Sequence, residues 1–201
     1  MTAITQLSQL DLNATYSYAD YLTWQFEETV ELIRGKIMLM SPAPNVNHQR
    51  VSRNLSLELG NYFRKQPCQV FIAPFDVSLY DRRKSKLADR DILSVVQPDL
   101  CVICDPEKLT VQGCSGAPDW IIEILSPGNS KKEVRLKYDL YQENGVKEYW
   151  LVFPYECSVH QFILDEASQR YQLHAMYAQD ERAAPLLFPD LQIDLGDVFA
   201  D

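Results

Sequence analysis

Residues 118–154 read PDWIIEILSPGNSKKEVRLKYDLYQENGVKEYWLVFP. The run opens on Trp120-Ile121-Ile122 and Ile124-Leu125, too apolar for a surface strand, with one carboxylate, Glu123, in its middle. Ser126-Pro127-Gly128-Asn129 supplies a turn. Ser130 with Glu133 three residues on forms a capping box, so a helix starts there and stops at Gly145. Residues 148–153 are a second apolar strand. Strand, helix and strand in this length predict a crossover unit that lays two parallel strands in one sheet. A lone Glu buried in such a strand is costly unless it is paired, protonated or bound to a cation. Glu123 is therefore either a functional carboxylate, the reading we favour, or a satisfied structural one.

The helix sharpens that choice. At about 100° per residue, Val134, Leu136, Tyr138, Leu140 and Tyr141 mark out a broad apolar arc. Lys137 projects inside the arc, away from Arg135, Asp139 and Gln142 on the polar face. Its ammonium either snorkels out past its own stem or meets Glu123 from the adjacent element, where each charge offsets the other's desolvation.

Upstream, residues 95–104, VVQPDLCVIC, read as another strand with Asp99 on the face of Cys101 and Ile103. Pro98 cannot donate a hydrogen bond and puts Asp99 at an irregular or edge position. If this strand pairs antiparallel with the Glu123 strand about Val111, Asp99 and Glu123 stand opposite each other, with Cβ atoms about 5 Å apart. Two carboxylates that close repel and raise one pKa unless a divalent cation lies between them.

The rest of the chain supplies a frame. Ser17 caps a short helix, and residues 30–40, VELIRGKIMLM, alternate as a strand or tight hairpin with Glu31 and Ile33 on one face. Asn47 is read as the cap of a helix running to Arg64, with Val51, Leu55, Leu59 and Tyr62 as its core stripe. His48 falls near that face in the first turn and is a near-site candidate. Short strands at 70–73 and 75–80 flank Pro74. Residues 81–91, DRRKSKLADRD, hold five bases and three acids. That run is either a solvated loop or one that touches phosphates through Arg82, Arg83, Lys84 and Lys86, with Lys131 and Lys132 as further bases. A hairpin over 158–164 and 170–177 and a final helical turn at 195–199 complete the chain.

The 201 residues, 46% apolar and 23% charged, suit one globular domain spanning 1–201. Residues 1–15 read as a weakly ordered lead, and residues 156–201 as an acidic, β-rich part of the same domain. No apolar run approaches the roughly 20 residues that span a bilayer, and the amino terminus has no secretory pattern, so no membrane association is expected and the cytoplasm is the expected compartment. Nine of the 28 acids but two of the 19 bases lie from Glu156 onward, so the first 155 residues are near neutral and leave room for a nucleic-acid surface. Cys101 and Cys104 spell C-x-x-C, but residues three apart on a strand face opposite ways. The five cysteines are accordingly expected to be buried free thiols rather than a zinc or redox site.

Asp, Glu and Lys at a sheet edge are the parts for metal-dependent phosphodiester hydrolysis, with carboxylate and water ligands that suit Mg²⁺ or Mn²⁺. The chain has no G-x-S-x-G elbow, no P-loop and no dinucleotide fingerprint. Gln97-Pro98-Asp99, Gly116-Ala117-Pro118-Asp119, Glu123-Ile124-Leu125-Ser126-Pro127, Lys137-Tyr138 and Gly145-Val146-Lys147-Glu148-Tyr149-Trp150 together resemble the Uma-type family of bacterial restriction-endonuclease-like proteins. Glu31-Leu32-Ile33-Arg34-Gly35, Ser41-Pro42, His48-Gln49 and Phe75-Asp76-Val77 extend the resemblance over nearly the whole chain.

The resemblance implies the PD-(D/E)xK nuclease fold, an α/β architecture with a central mixed sheet flanked by helices. It implies Asp99 and Glu123 as metal carboxylates and Glu31 as an extra acid near the metal. The usual lysine of the E-x-K motif is replaced by Leu125, and in this family the lysine stands on the following helix, here Lys137. Where the family often has Asp ahead of that lysine, this chain has Glu133. The activity implied is a Mg²⁺- or Mn²⁺-dependent DNA endonuclease, in a fold that often works as a homodimer. The alternative is a catalytically idle nuclease-like module that binds DNA or a protein partner.

Overall fold

The computed structural model describes residues 3–40, 45–80 and 88–200. In chain order the first elements are α1 (Tyr18–Tyr21), β1 (Val30–Ile33), β2 (Lys36–Leu39), α2 (Val46–Phe63), β3 (Gln69–Ile72) and β4 (Val77–Leu79). Next come β5 (Ser94–Val96), β6 (Leu100–Ile103), β7 (Cys114–Ser115), β8 (Trp120–Ile124), α3 (Lys131–Asn144) and β9 (Glu148–Phe153). The chain closes with β10 (Ser158–Asp165), β11 (Arg170–Ala178), β12 (Arg182–Ala183), β13 (Ile193–Asp194) and α4 (Leu195–Val198).

The crossover unit forms as the sequence predicts. Ser130 accepts from the Glu133 backbone N–H while the Glu133 side chain takes the Ser130 N–H at 2.8 Å, and Gly145 ends α3 with a left-handed φ of 80°. Strands β8 and β9 pair in parallel, Ile122 opposite Trp150. They form the centre of a six-stranded mixed sheet in the order β11-β10-β9-β8-β6-β3. Strand β6 runs antiparallel to β8 with Leu100 opposite Ile122. One step along that register sets Asp99 opposite Glu123, the arrangement expected from pairing about Val111.

Residues 95–104 are not one strand. Gln97-Pro98-Asp99 interrupt them, and β5 joins a second sheet in the order β2-β1-β5-β4-β7 while β6 stays in the large one. Pro98 has no N–H to give a ladder, so the chain leaves one sheet there and enters the other. The 30–40 segment is a tight hairpin, turned at Arg34 and Gly35 with φ of 52° and 77°. Two successive positive φ values match the twist of the flanking strands. At Gly35 a Cβ would run into the Thr15 methyl, so both conformation and space ask for glycine. The cap of α2 is Asn45, whose side chain accepts from the His48 N–H at 3.0 Å, and Asn47 lies inside the helix.

Strand alternation gives the large sheet two buried faces. On one, Val51, Leu55 and Leu59 of α2 pack with Trp120, Ile122, Trp150 and Val152, joined by Ile193, Leu195 and Val198. On the other, Ile121, Tyr149 and Leu151 pack with Leu140 and Tyr141 of α3 and with Val77 and Val96 of the smaller sheet. Glu123 alternates with Ile122 and so faces α3. At the amino terminus, Ile4 bridges to Trp24 and Leu10 is buried.

The expectation of free cysteines fails for one pair. Cys68 and Cys104 form a disulfide, one step beyond the Gln69–Ile103 pair of the β3–β6 ladder. Cys101, Cys114 and Cys157 are free, and Cys101 and Cys104 do not share a site. Among the described residues no helix is long and apolar enough to cross a membrane.

Candidate active site

Sheet register and helix phase converge on one cavity of about 430 Å³, lined by Glu31, His48, Asp99, Glu123 and Lys137 among others. Each arrives from a different element: Glu31 from β1, His48 from the first turn of α2, Asp99 from the break ahead of β6, Glu123 from β8 and Lys137 from α3. The Lys137 ammonium stands 2.9 Å from Glu31 Oε1 and 3.0 Å from Glu123 Oε1. Its side chain is 18% exposed and those of the two carboxylates 5% and 10%, so this lysine does not snorkel into bulk water.

The three carboxylates are held differently. Glu123 Oε1 also accepts from the Tyr141 hydroxyl at 2.5 Å, and Glu31 Oε1 from the Gln97 backbone N–H at 2.8 Å. Their Oε2 atoms take no hydrogen bond among the described residues. Asp99 Oδ2 accepts from the Ile124 N–H at 2.7 Å across the β6–β8 pair, and Oδ1 lies 3.2 Å from His48 Nε2. The Asp99 carbonyl accepts from the Ala73 N–H at 3.0 Å. Asp99 is thus fixed through main chain and side chain alike. Nδ1 of His48 is buried and has no hydrogen-bond partner among the described residues.

Burial pushes the Glu123 carboxyl up to about 7; the Lys137 charge opposes that shift, while Asp99 and Glu31 add to it. For Lys137 burial works against the charge, but the two glutamates outweigh it and the ammonium is held well above its ordinary range. Burial first, then the neighbouring carboxylates, raise the Tyr141 phenol well above 10, so it stays a donor. Burial lowers the His48 pKa, and the bond to Asp99 together with the Asp99 and Glu123 charges more than restores it, for a net rise.

Lys131 and Lys132 lie exposed at the start of α3 and outside the cavity lining. Arg82, Arg83, Lys84 and Lys86 fall outside the described residues. Sequence reading missed Tyr141, although its place four residues after Lys137 puts both on one helix face. It also gave no role to Gln97, whose amide donates to Asp76 Oδ1 at 2.7 Å while its backbone N–H holds Glu31. The Tyr21 hydroxyl bonds the same Asp76 oxygen at 3.2 Å.

The residues fit a small divalent cation. Lys137 bridges Glu31 and Glu123 while Asp99 bonds His48, and beyond the larger effect of burial the neighbouring Asp99 and Glu31 charges add to the rise at Glu123, a repulsion that a cation would relieve. Among the described residues no three His, Cys, Asp or Glu side chains stand together as a metal cage. A pair of carboxylates, with waters and phosphate oxygens completing the sphere, is the donor set Mg²⁺ ordinarily takes. Asp99 and Glu123 are the pair that register sets side by side.

Comparison with known proteins agrees with this architecture. A structural neighbour, a crystal structure titled as that of a putative nuclease belonging to DUF820 from Anabaena variabilis, superposes with a TM-score of 0.68. The two are 21% identical, and the alignment covers 91% of this chain and 97% of that one. At that identity the likeness shows the fold, which is restriction-endonuclease-like. No curated protein matches the chain. The profile of the Uma2 family, described as "Putative restriction endonuclease", matches residues 18–196, and the chain belongs to that family.

Proposed function

We propose that this protein is a metal-dependent DNA endonuclease that hydrolyses phosphodiester bonds, with Asp99 and Glu123 holding Mg²⁺ or Mn²⁺. The observation that carries the reading is a buried ammonium bonded to Glu123 and Glu31, in a cavity that also holds Asp99 beside Glu123 in the register of adjacent strands. A bound ion would supply an activated water and neutralise charge on the phosphate. The protein's own groups do the rest. Lys137 is held protonated, so it serves as a fixed positive charge toward a phosphate oxygen rather than as a base. Tyr141 and Lys137 lock Glu123 by one oxygen, and the other takes no hydrogen bond among the described residues, which keeps it available to a ligand. Leu125 stands where the sheet would otherwise offer a lysine, and α3 delivers the charge instead.

The family membership supports a nuclease; the geometry supports these residues as its working parts. The test is incubation of purified protein with supercoiled and linear DNA in Mg²⁺, Mn²⁺ or EDTA. Nicking or linearisation that needs the ion and disappears in Glu123→Gln is expected. Binding without cutting in either ion would replace the enzyme with an idle DNA-binding module. Neither binding nor cutting would overturn the reading.

A further inference from the structure

The same cavity has a second character that phosphate hydrolysis does not use. Its lining also carries apolar side chains, Ile33, Met38 and Met40 from the hairpin and Leu125, Val134 and Leu136 from the β8–α3 side. A sugar–phosphate alone would leave these apolar groups uncovered. We propose that they seat one unstacked nucleobase next to the phosphate being cut, so that the substrate is a single strand or a nucleotide turned out of a duplex. This rests on the nuclease reading and names its substrate class.

Three observations carry it. The reacting groups are recessed, with Glu31 and Glu123 only 4% and 8% exposed. A phosphate in a stacked duplex stays flanked by its neighbours, whereas a nucleotide drawn out of the stack brings its own phosphate inward. The cavity volume of about 430 Å³ is in the range of pockets that enclose small organic molecules. The two methionines offer flexible, polarizable surface that adapts to different rings and contacts their edges. A base held by such contacts is gripped without being read, so sequence preference should be weak.

Fluorescence anisotropy in Ca²⁺ tests this without requiring cleavage. Three labelled ligands of equal length are compared: a single strand, its matched duplex, and a strand of abasic residues with the same phosphates. The base-bearing single strand should bind at least about ten-fold tighter than the abasic strand, the scale of one lost base contact, and tighter than the duplex. Met38→Ala with Val134→Ala, checked for folding by circular dichroism, should lose most of that difference. Equal affinity for abasic and base-bearing strands overturns the pocket. So does a variant that keeps the full preference. If Mn²⁺ assays show equal cutting of both strands, the pocket fails and the nuclease stands. If base preference is present but no strand is cut, the pocket stands and the nuclease reading fails.

Discussion

Replacing Lys137 by Met deletes the ammonium while keeping most of the stem, and the structure sets what this costs. The ammonium lies within 3.0 Å of both Glu31 and Glu123, and all three side chains are less than one-fifth exposed. Removing one partner of a buried ion pair destabilises a protein by about 3–5 kcal/mol, because it strands an uncompensated charge. Here two carboxylates would be left, although one of them can escape by taking a proton. Glu123, already pushed up to about 7, is the group that would do so. Lys137→Met should therefore lose about 3 kcal/mol at pH 8 and clearly less at pH 5, where protonation is cheap. Adding Glu123→Gln to the variant removes the stranded charge and should recover most of the loss at pH 8. Urea unfolding at the two pH values, in EDTA, measures all of this. A loss below about 1 kcal/mol at pH 8, or a double variant no more stable than the single one, would refute the argument.

Glu123 itself sets a pH dependence in metal-free protein. Its folded pKa lies above the ordinary 4.5, so the folded state holds the proton more tightly; stability should be greatest on the acid side and fall as pH rises from 4.5 through about 7. Glu123→Gln should flatten that part of the profile, and an unchanged slope would count against the shift. Asp119 behaves oppositely. Burial alone would raise its pKa, but the Lys147 bond at 2.6 Å and the Cys104 N–H at 2.9 Å bring it below the ordinary value. Its contribution is complete above the ordinary 3.8 and is lost as pH falls below it. Asp119→Ala leaves the part-buried Cys104 N–H unpaired and should cost about 1–3 kcal/mol at pH 7 in thermal unfolding; no change would show that water replaces the carboxylate. DNA affinity should fall steeply with salt, and replacing Arg82, Arg83, Lys84 and Lys86 by Ser should make that slope shallower. Salt-insensitive binding would remove those bases from the interface.

Much of this geometry is legible in the sequence because its causes are local. The crossover unit follows from two apolar runs, a Ser130–Glu133 capping box and a stop at Gly145, all within one continuous stretch. Helix phase alone turns Lys137 inward, and the length of the β6–β8 connection is enough to set Asp99 against Glu123. What stays hidden depends on partners far along the chain. Pro98 marks a break but does not say that β5 and β6 enter different sheets. The Cys68–Cys104 bond joins residues 36 apart, and its logic appears with the β3–β6 register. Glu31 meets Lys137 because the β1–β2 hairpin packs toward α3, a contact no local pattern encodes. Tyr141 reads as one more core aromatic until Glu123 is seen beneath its hydroxyl.

The central claim is that Asp99 and Glu123 act together as the seat of a divalent ion. Calorimetric titration of Mn²⁺ into the wild type, Asp99→Asn and Glu123→Gln at pH 8 tests it most directly. The account predicts saturable binding in the wild type that is lost or weakened by at least about ten-fold, roughly 1.4 kcal/mol, in each variant. Both variants should keep the fold. Undiminished Mn²⁺ binding in either variant would contradict the claim.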